Sequence, residues 1–355
     1  MQPNRRRSPF HQAGFTLVEI MVGLGIGMLA TVVIIQVLSV FEAQRRTTTG
    51  TADAQTNGGI ALYTIGRELQ MAGYPLMPVT DSALECTAIS GTVNGIAATL
   101  GSLSPVTITN GVAAAGVSAS DTITIRYGNA PMGGVPTPAV VGVPAASDAT
   151  LGTTLGCQAG DISLITNGTA CAMSSISAVA PTTIVTFANV PALASGNLAC
   201  MGAWNEVSYR SNGGNLERRN LAISNTFAPS LAGIVNLQAQ YGIAAAANSN
   251  VITQWVDASG GTWAAPAVAD RNRIKSIRIA IVARNAKIEP GTVTAACSST
   301  TTAAPTGLCA WEGSVASPAP AIDLSPGDPD WGRYRYRVFE TIIPLRNMVW
   351  AKETL

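Results

Sequence analysis

The sequence predicts an α+β protein, a long N-terminal helix with a transmembrane first half, packed on a β-rich, loop-rich globular head. Three observations predict it. Residues 20–41 form a run of 22 residues without a charge. Beyond them Leu62, Ile65 and Leu69 recur at helical spacing, with Gly73 a natural C-cap and Pro75 a stop. From Tyr74 onward the pattern changes to short β-rich runs between clusters of Gly, Pro, Ser and Asn. The boundaries that follow are a polar leader at 1–14, a transmembrane half-helix at 15–41, an amphipathic half-helix at 42–73 and a head at 74–355.

The apolar run is long enough to cross a hydrocarbon core of roughly 30 Å at about 1.5 Å rise per residue. Arg5, Arg6 and Arg7 precede it, which predicts a cytoplasmic N-terminus. An ordinary secretory signal would end its apolar stretch in a small-residue cleavage site, whereas Phe41 leads into Glu42, Ala43, Gln44, Arg45 and Arg46. A plain signal-anchor passes that test, but it does not explain Glu19. A carboxylate at the mouth of an apolar span is costly and calls for a partner. Gly23 and Gly27 form a GxxxG that would let two helices approach closely. The order Glu42, Arg46 favours continued helix past the span.

The stretch Gly14-Phe15-Thr16-Leu17-Val18-Glu19-Ile20 resembles the processing site of type IV prepilins and type II secretion pseudopilins. The resemblance implies cleavage by a membrane prepilin peptidase after Gly14, N-methylation of Phe15 as the first mature residue, and a subunit-assembly role for Glu19. In a filament core the Glu19 carboxylate would pair with the N-terminal amine of a neighbouring subunit, an attraction weakly screened in apolar surroundings. Four shorter stretches resemble minor pilins of the PilW family: residues 65–74, residues 233–242, Val282-Ala283-Arg284 and Pro344-Leu345-Arg346-Asn347. This resemblance implies a minor pilin that helps initiate or cap a type IV pilus. Its partners would be other minor and major pilins and the inner-membrane assembly platform. It would sit first in the inner membrane, single-pass with a periplasmic head, and then in the pilus at the cell surface. A minor pseudopilin, or a pilus-tip subunit binding a surface or DNA, are the alternatives.

In the head, strands are expected at 122–127, 161–166, 183–187, 206–210, 215–220, 273–283 and 335–344, with a hairpin turning through Ser211-Asn212-Gly213-Gly214. Residues 88–120, 128–160, 243–270 and 290–330 are rich in Ala, Gly, Thr, Ser and Pro and read as loops. The six cysteines, Cys86, Cys157, Cys171, Cys200, Cys297 and Cys309, all lie in the head, and an even number in an oxidising compartment reads as disulfides. Pairing sequence neighbours gives Cys297–Cys309 and Cys157–Cys171, leaving Cys86–Cys200; other connectivities stay open.

Composition narrows the function classes. Apolar residues make up 47% and charged residues 12%. Without the leader arginines the chain has 18 basic against 20 acidic residues, so nucleic-acid binding has no overall electrostatic support. The single histidine, His11, lies in the leader, which removes His-based triads and zinc sites from the mature chain. No Walker A or G-x-S-x-G motif is present, and no catalytic residue, metal or cofactor is expected. Asp323, Asp328 and Asp330 offer oxygen ligands of the kind calcium takes, at a spacing that fits no EF-hand; a solvated turn is the simpler reading. Arginines alternate with aromatics from Trp331 to Arg337, a set that would suit stacking on single-stranded DNA or a glycan; a strand with arginines on one face and aromatics on the other is the simpler reading.

Overall fold

A computed structural model of the chain describes residues 14–76, 86–132, 134–141, 148–180, 184–187, 193 and 195–349. Residues 1–13, nearly all of the expected leader, with His11 and the three arginines, lie outside the described residues. The architecture is α+β, and the chain divides into two compact units, one ending at Gly50 and the other beginning at Thr51.

One helix, Leu17–Met71, holds 55 residues. Up to residue 41 it is long and apolar enough to cross a membrane, and its large apolar side chains, from Leu17 to Phe41, are exposed. Within the second unit the helix behaves differently. Ala54, Ala61, Ile65, Leu69 and Ala72 are buried in one seam of three- and four-residue steps. Gly58 belongs to that seam, because a Cβ there would run into the ring of Phe339. The helix stops where the sequence places its breakers: Gly73 takes φ +80°, open to glycine at little cost, and the Asn347 side-chain amide donates to the Ala72 carbonyl at 2.8 Å.

This half-helix lies in a core shared by two antiparallel sheets. The four-stranded sheet runs in the order Ile252–Asp257, Ile234–Ala244, Ile274–Arg284, Tyr336–Pro344. Its register sets Leu237 beside Ile281 and Phe339, and Tyr241 beside Ile277 and Ile343, so alternate residues face the helix. The five-stranded sheet runs Ala228–Ala232, Asn215–Asn220, Asn205–Asn212, Thr122–Tyr127, Val106–Thr109. It adds Ile108, Ile123, Ile125, Val207, Tyr209 and Leu216 to the same core. Its central hairpin turns on Gly213 and Gly214, both at positive φ, as a two-residue type I′ turn requires. Each fully buried Ile or Leu in this core contributes about 1.5–3 kcal/mol.

A third sheet closes on itself. Ala170–Val179 pairs with Ile162–Thr166, then follow Ser195–Cys200, Thr137–Val141, Asp148–Leu151 and Ile184–Phe187, which pairs back onto Ala170–Val179. The result is a six-stranded barrel with its own core, built on Ala139, Ala149, Leu151, Ile165, Ile176, Val185, Phe187 and Leu198. Ala88–Val93 lies parallel to the start of Ala170–Val179, and Ile96–Ala97 folds back on it. Tyr127 and Asn205 are register partners on adjacent strands, so the barrel is inserted where that hairpin would turn.

Three segments expected as loops therefore contain strands: residues 88–120 hold three, residues 128–160 hold two, and residues 243–270 hold Ile252–Asp257 and two short helices. These strands are two to six residues long and each buries two residues at most, so their apolar signal is weak. Residues 290–330 do lack a named strand, yet they are no solvated loop. Leu308, Ala310, Trp311, Ala319, Ile322 and Leu324 pack on Ala280 and Val282, on the sheet face opposite the helix.

Candidate functional site: the helix start and the disulfide-held head

Gly14 and Phe15 lie just ahead of Thr16, which opens the helix, and Phe15 is 84% exposed. The first turn is closed by a reciprocal pair. Thr16 donates its backbone N–H and its hydroxyl to the Glu19 carboxylate, each at 3.0 Å, while the Glu19 N–H donates to the Thr16 hydroxyl at 3.3 Å. This is a capping box, and it gives Glu19 a partner inside its own chain. Thr-x-x-Glu is legible in the sequence, but reading Glu19 as a group awaiting another subunit passes over it. Gly23 and Gly27 have no side chain near the position of a Cβ, so their surface is open for a second helix.

In the head the disulfides are Cys86–Cys171, Cys157–Cys200 and Cys297–Cys309. The Cys157–Cys171 and Cys86–Cys200 pairs that sequence proximity suggests are thus exchanged. The reason is topological. The parallel pairing of Ala88–Val93 with Ala170–Val179 brings Cys86 to Cys171, with Cα atoms 5.8 Å apart. Cys200, at the end of its barrel strand, meets Cys157 at 5.2 Å. Cys297–Cys309 cinches the segment that covers the outer sheet face.

The acidic stretch does not converge on one point. The Asp323 carboxylate accepts from Ser325, Asp328 pairs with Arg284 at 2.8 Å, and Asp330 pairs with Arg333 at 3.2 Å. No cluster of three metal-ligating side chains occurs among the described residues. The aromatic–basic strip is not one strand either. Trp331–Arg333 forms a 3₁₀ turn, the strand begins at Tyr336, and Arg335 pairs with Glu289 at 3.0 Å. Beside it a cleft of about 220 Å³ includes Ser120, Ser211, Arg284, Asp328 and Tyr336 in its lining. Three of its hydroxyls are already used: Ser120 donates to the Leu237 carbonyl, Ser211 to that of Ile234 and Tyr336 to that of Trp331.

Two polar links, one part-buried and one buried, hold the head in register. Arg218 donates to Glu68 of the helix at 2.9 Å and to the Tyr209 hydroxyl at 3.1 Å, and burial pushes the Tyr209 hydroxyl well above its ordinary pKa. Asp121 accepts the N–H groups of Gly111 and Ala239, tying the approach to the five-stranded sheet to the four-stranded one. Burial pushes its carboxyl up to about 6, against the lowering effect of those two hydrogen bonds.

The chain thus joins an apolar N-terminal helix, opened by a threonine–glutamate cap, to a β-rich head, and its residues 9–35 match the prokaryotic N-terminal methylation motif. More particularly, residues 207–347 match the family of type IV pilus-assembly protein W. That stretch takes in the central hairpin, the whole four-stranded sheet and the disulfide-cinched segment. No curated protein and no solved structure matched the chain.

Proposed function

We propose that the chain is a minor type IV pilin, a structural subunit that helps initiate or cap pilus assembly. The observation that carries this reading is the joint presence of the methylation motif at residues 9–35 and the type IV pilus-assembly protein W match at 207–347 in one chain. The prepilin peptidase cuts between Gly14 and Phe15, and Phe15 is N-methylated. The span anchors the subunit in the inner membrane with the head in the periplasm until it enters the filament. There the open face at Gly23 and Gly27 suits close packing against neighbouring helices. Glu19 exchanges its partners on Thr16 for the terminal amine of an adjacent subunit. The size of the head supports a minor role, because the β-rich segment from residue 74 onward is bulky to repeat at every position of a thin filament.

The test is intact-mass and N-terminal analysis of the protein from its native host, with and without the prepilin peptidase, alongside a count of surface pili in a deletion strain. A chain beginning at methylated Phe15 only when the peptidase is present, with fewer pili in the deletion strain, is the expected result. Normal piliation without this chain, or a chain still starting at Met1 in both backgrounds, would overturn the proposal.

A further inference from the structure

The four-stranded sheet ends in a strand whose outer edge is bare. Leu345 donates to the Lys275 carbonyl and Asn285 to the Arg335 carbonyl, one at each end of the pairing between Ile274–Arg284 and Tyr336–Pro344, and the register between them is unbroken. Bonded and unbonded pairs alternate along an antiparallel ladder, so Arg337, Phe339, Thr341 and Ile343 bond inward. The N–H and C=O groups of Val338, Glu340 and Ile342 therefore point away from the sheet. None of them meets another group among the described residues.

The edges of the other strands in these two sheets are blunted, as sheet edges in soluble proteins ordinarily are. On Ile252–Asp257 the Trp255 N–H donates to the Ser317 hydroxyl, and the Gln254 side chain to the Ala316 carbonyl. Ala228–Ala232 is bulged against its neighbour and carries Pro229. On Val106–Thr109 the Ile108 N–H donates to the Tyr241 hydroxyl.

Beside the bare edge, between strand and helix, runs a groove of about 530 Å³ whose lining includes Leu62, Tyr63, Gly66, Arg67, Thr341 and Ile343. Tyr63 is 71% exposed and Ile342 50%. Helix and strand run the same way here, since Gly58 lies against Phe339 and Gly66 against Ile343. Arg337, beside Thr51 and Ala54, thus marks one end of this face and Arg67 the other. Both arginines are exposed, and neither forms an ion pair among the described residues.

We infer that this edge takes up an extended segment of a different protein chain as a further strand. The segment places apolar residues at alternate positions over the groove and an acidic residue near each end. Main-chain hydrogen bonds to Val338, Glu340 and Ile342 supply affinity, and the groove and the two guanidiniums supply selection. A helix seated in the groove would leave the edge unpaired. A second copy is the wrong partner. Symmetric antiparallel pairing of two such edges brings the Arg337 end of one to the Arg67 end of the other, like charge against like. The inference rests on the head alone and stands whichever filament the chain joins.

The full chain in lipid nanodiscs would be titrated with a labelled peptide of alternating Val and Thr closed by Asp at both ends. Two controls are the same peptide with its amides N-methylated and a peptide closed by Lys instead. Fluorescence anisotropy reads affinity, and hydrogen exchange reads location. The Asp-ended peptide should bind and slow exchange at Val338, Glu340 and Ile342. The N-methylated peptide should not bind, and the Lys-ended one should bind several-fold more weakly. Ile342→Pro removes one outward N–H and leaves the inner ladder intact, so it should weaken binding several-fold. Arg67→Glu with Arg337→Glu should reverse the preference between Asp and Lys ends at an unchanged melting temperature. Should the proline variant melt early, the charge reversal still decides. Binding that ignores N-methylation, protection confined to the helix from Gly59 to Gln70, no binding by the parent, or a preference that survives the charge reversal would overturn the inference.

Discussion

Gly58 on the helix lies flat against the ring of Phe339 on the edge strand of the four-stranded sheet, with no room for a side chain between them. The next residue, Gly59, has nothing within 4 Å of where its Cβ would be. Two adjacent glycines on one helix thus make opposite predictions. Gly59→Ala removes backbone entropy from the unfolded chain and should stabilise the head by up to about 1 kcal/mol. Gly58→Ala gains the same term but forces the ring aside, and overpacking of this kind costs about 1–3 kcal/mol. Thermal melts of both variants should therefore shift in opposite directions. A Gly58→Ala protein that melts higher than Gly59→Ala would mean that the Phe339 ring moves away freely.

Asp121 gives the head a pH dependence of defined sign. Its carboxyl is nearly inaccessible, and burial raises its pKa from the ordinary 3.8 to about 6, so the folded state holds this proton more tightly than the unfolded state. The contribution is complete below pH 3.8 and is lost as pH rises through about 6. Asp257 is shifted upward as well, by burial, and acts in the same direction. A displacement of about two pKa units corresponds to roughly 3 kcal/mol at most. Asp121→Asn keeps one acceptor and removes the titration, so denaturant midpoints of the variant should vary less than those of the parent between pH 4 and 7. Parallel profiles for the two proteins would show that Asp121 is not the group responsible.

The disulfides differ in what they hold. Cys86–Cys171 spans 85 residues of sequence and ties the chain leaving the helix to a barrel strand. Changing both cysteines to serine should lower stability by about 2–5 kcal/mol. Cys297–Cys309 spans only 12 residues, and its loss should chiefly loosen the segment that covers Ala280 and Val282. Limited proteolysis should then cut that variant between residues 298 and 306 well before the parent, with a smaller change in melting temperature. Equal melting shifts for the two double variants would contradict this division.

What is legible in the sequence and what is not follows from how each element is specified. The helix is carried by its apolar span, its later seam and its breakers, all local signals. The central hairpin is carried by alternation on either side of Gly213-Gly214, and Thr122–Tyr127 by a run of β-branched residues. The barrel carries such a signal only in part: Ile162–Thr166 and Ile184–Phe187 are expected from their β-branched runs, whereas Asp148–Leu151 presents only alanine and leucine inward and its pairing is fixed by closure of the sheet. Disulfide connectivity depends on that closure, because Cys86 meets Cys171 through a parallel pairing between distant segments. At the helix start the difficulty is different. Glu19 stands out as a charge, but the hydroxyl that receives it belongs to Thr16, an unremarkable residue in composition alone.

One link from the helix to the five-stranded sheet is the ion pair of Glu68 with Arg218, and it sets a test of part-buried charge. Only 12% of the Glu68 side chain and 34% of that of Arg218 are exposed, and the second Glu68 carboxylate oxygen is buried without a partner. Removing the guanidinium alone leaves a carboxylate beside the raised Tyr209 hydroxyl, with little water to solvate it. Arg218→Leu should therefore cost about 1–3 kcal/mol, the loss of charge-assisted hydrogen bonds from a part-buried carboxylate. Removing both charges with compact neutral groups should cost much less, because the desolvation of the pair disappears with it. A double-mutant cycle of Glu68→Gln and Arg218→Leu, followed by chemical denaturation, reads the coupling directly. A double variant less stable than Arg218→Leu alone would mean that Glu68 holds the helix through packing and not through its charge.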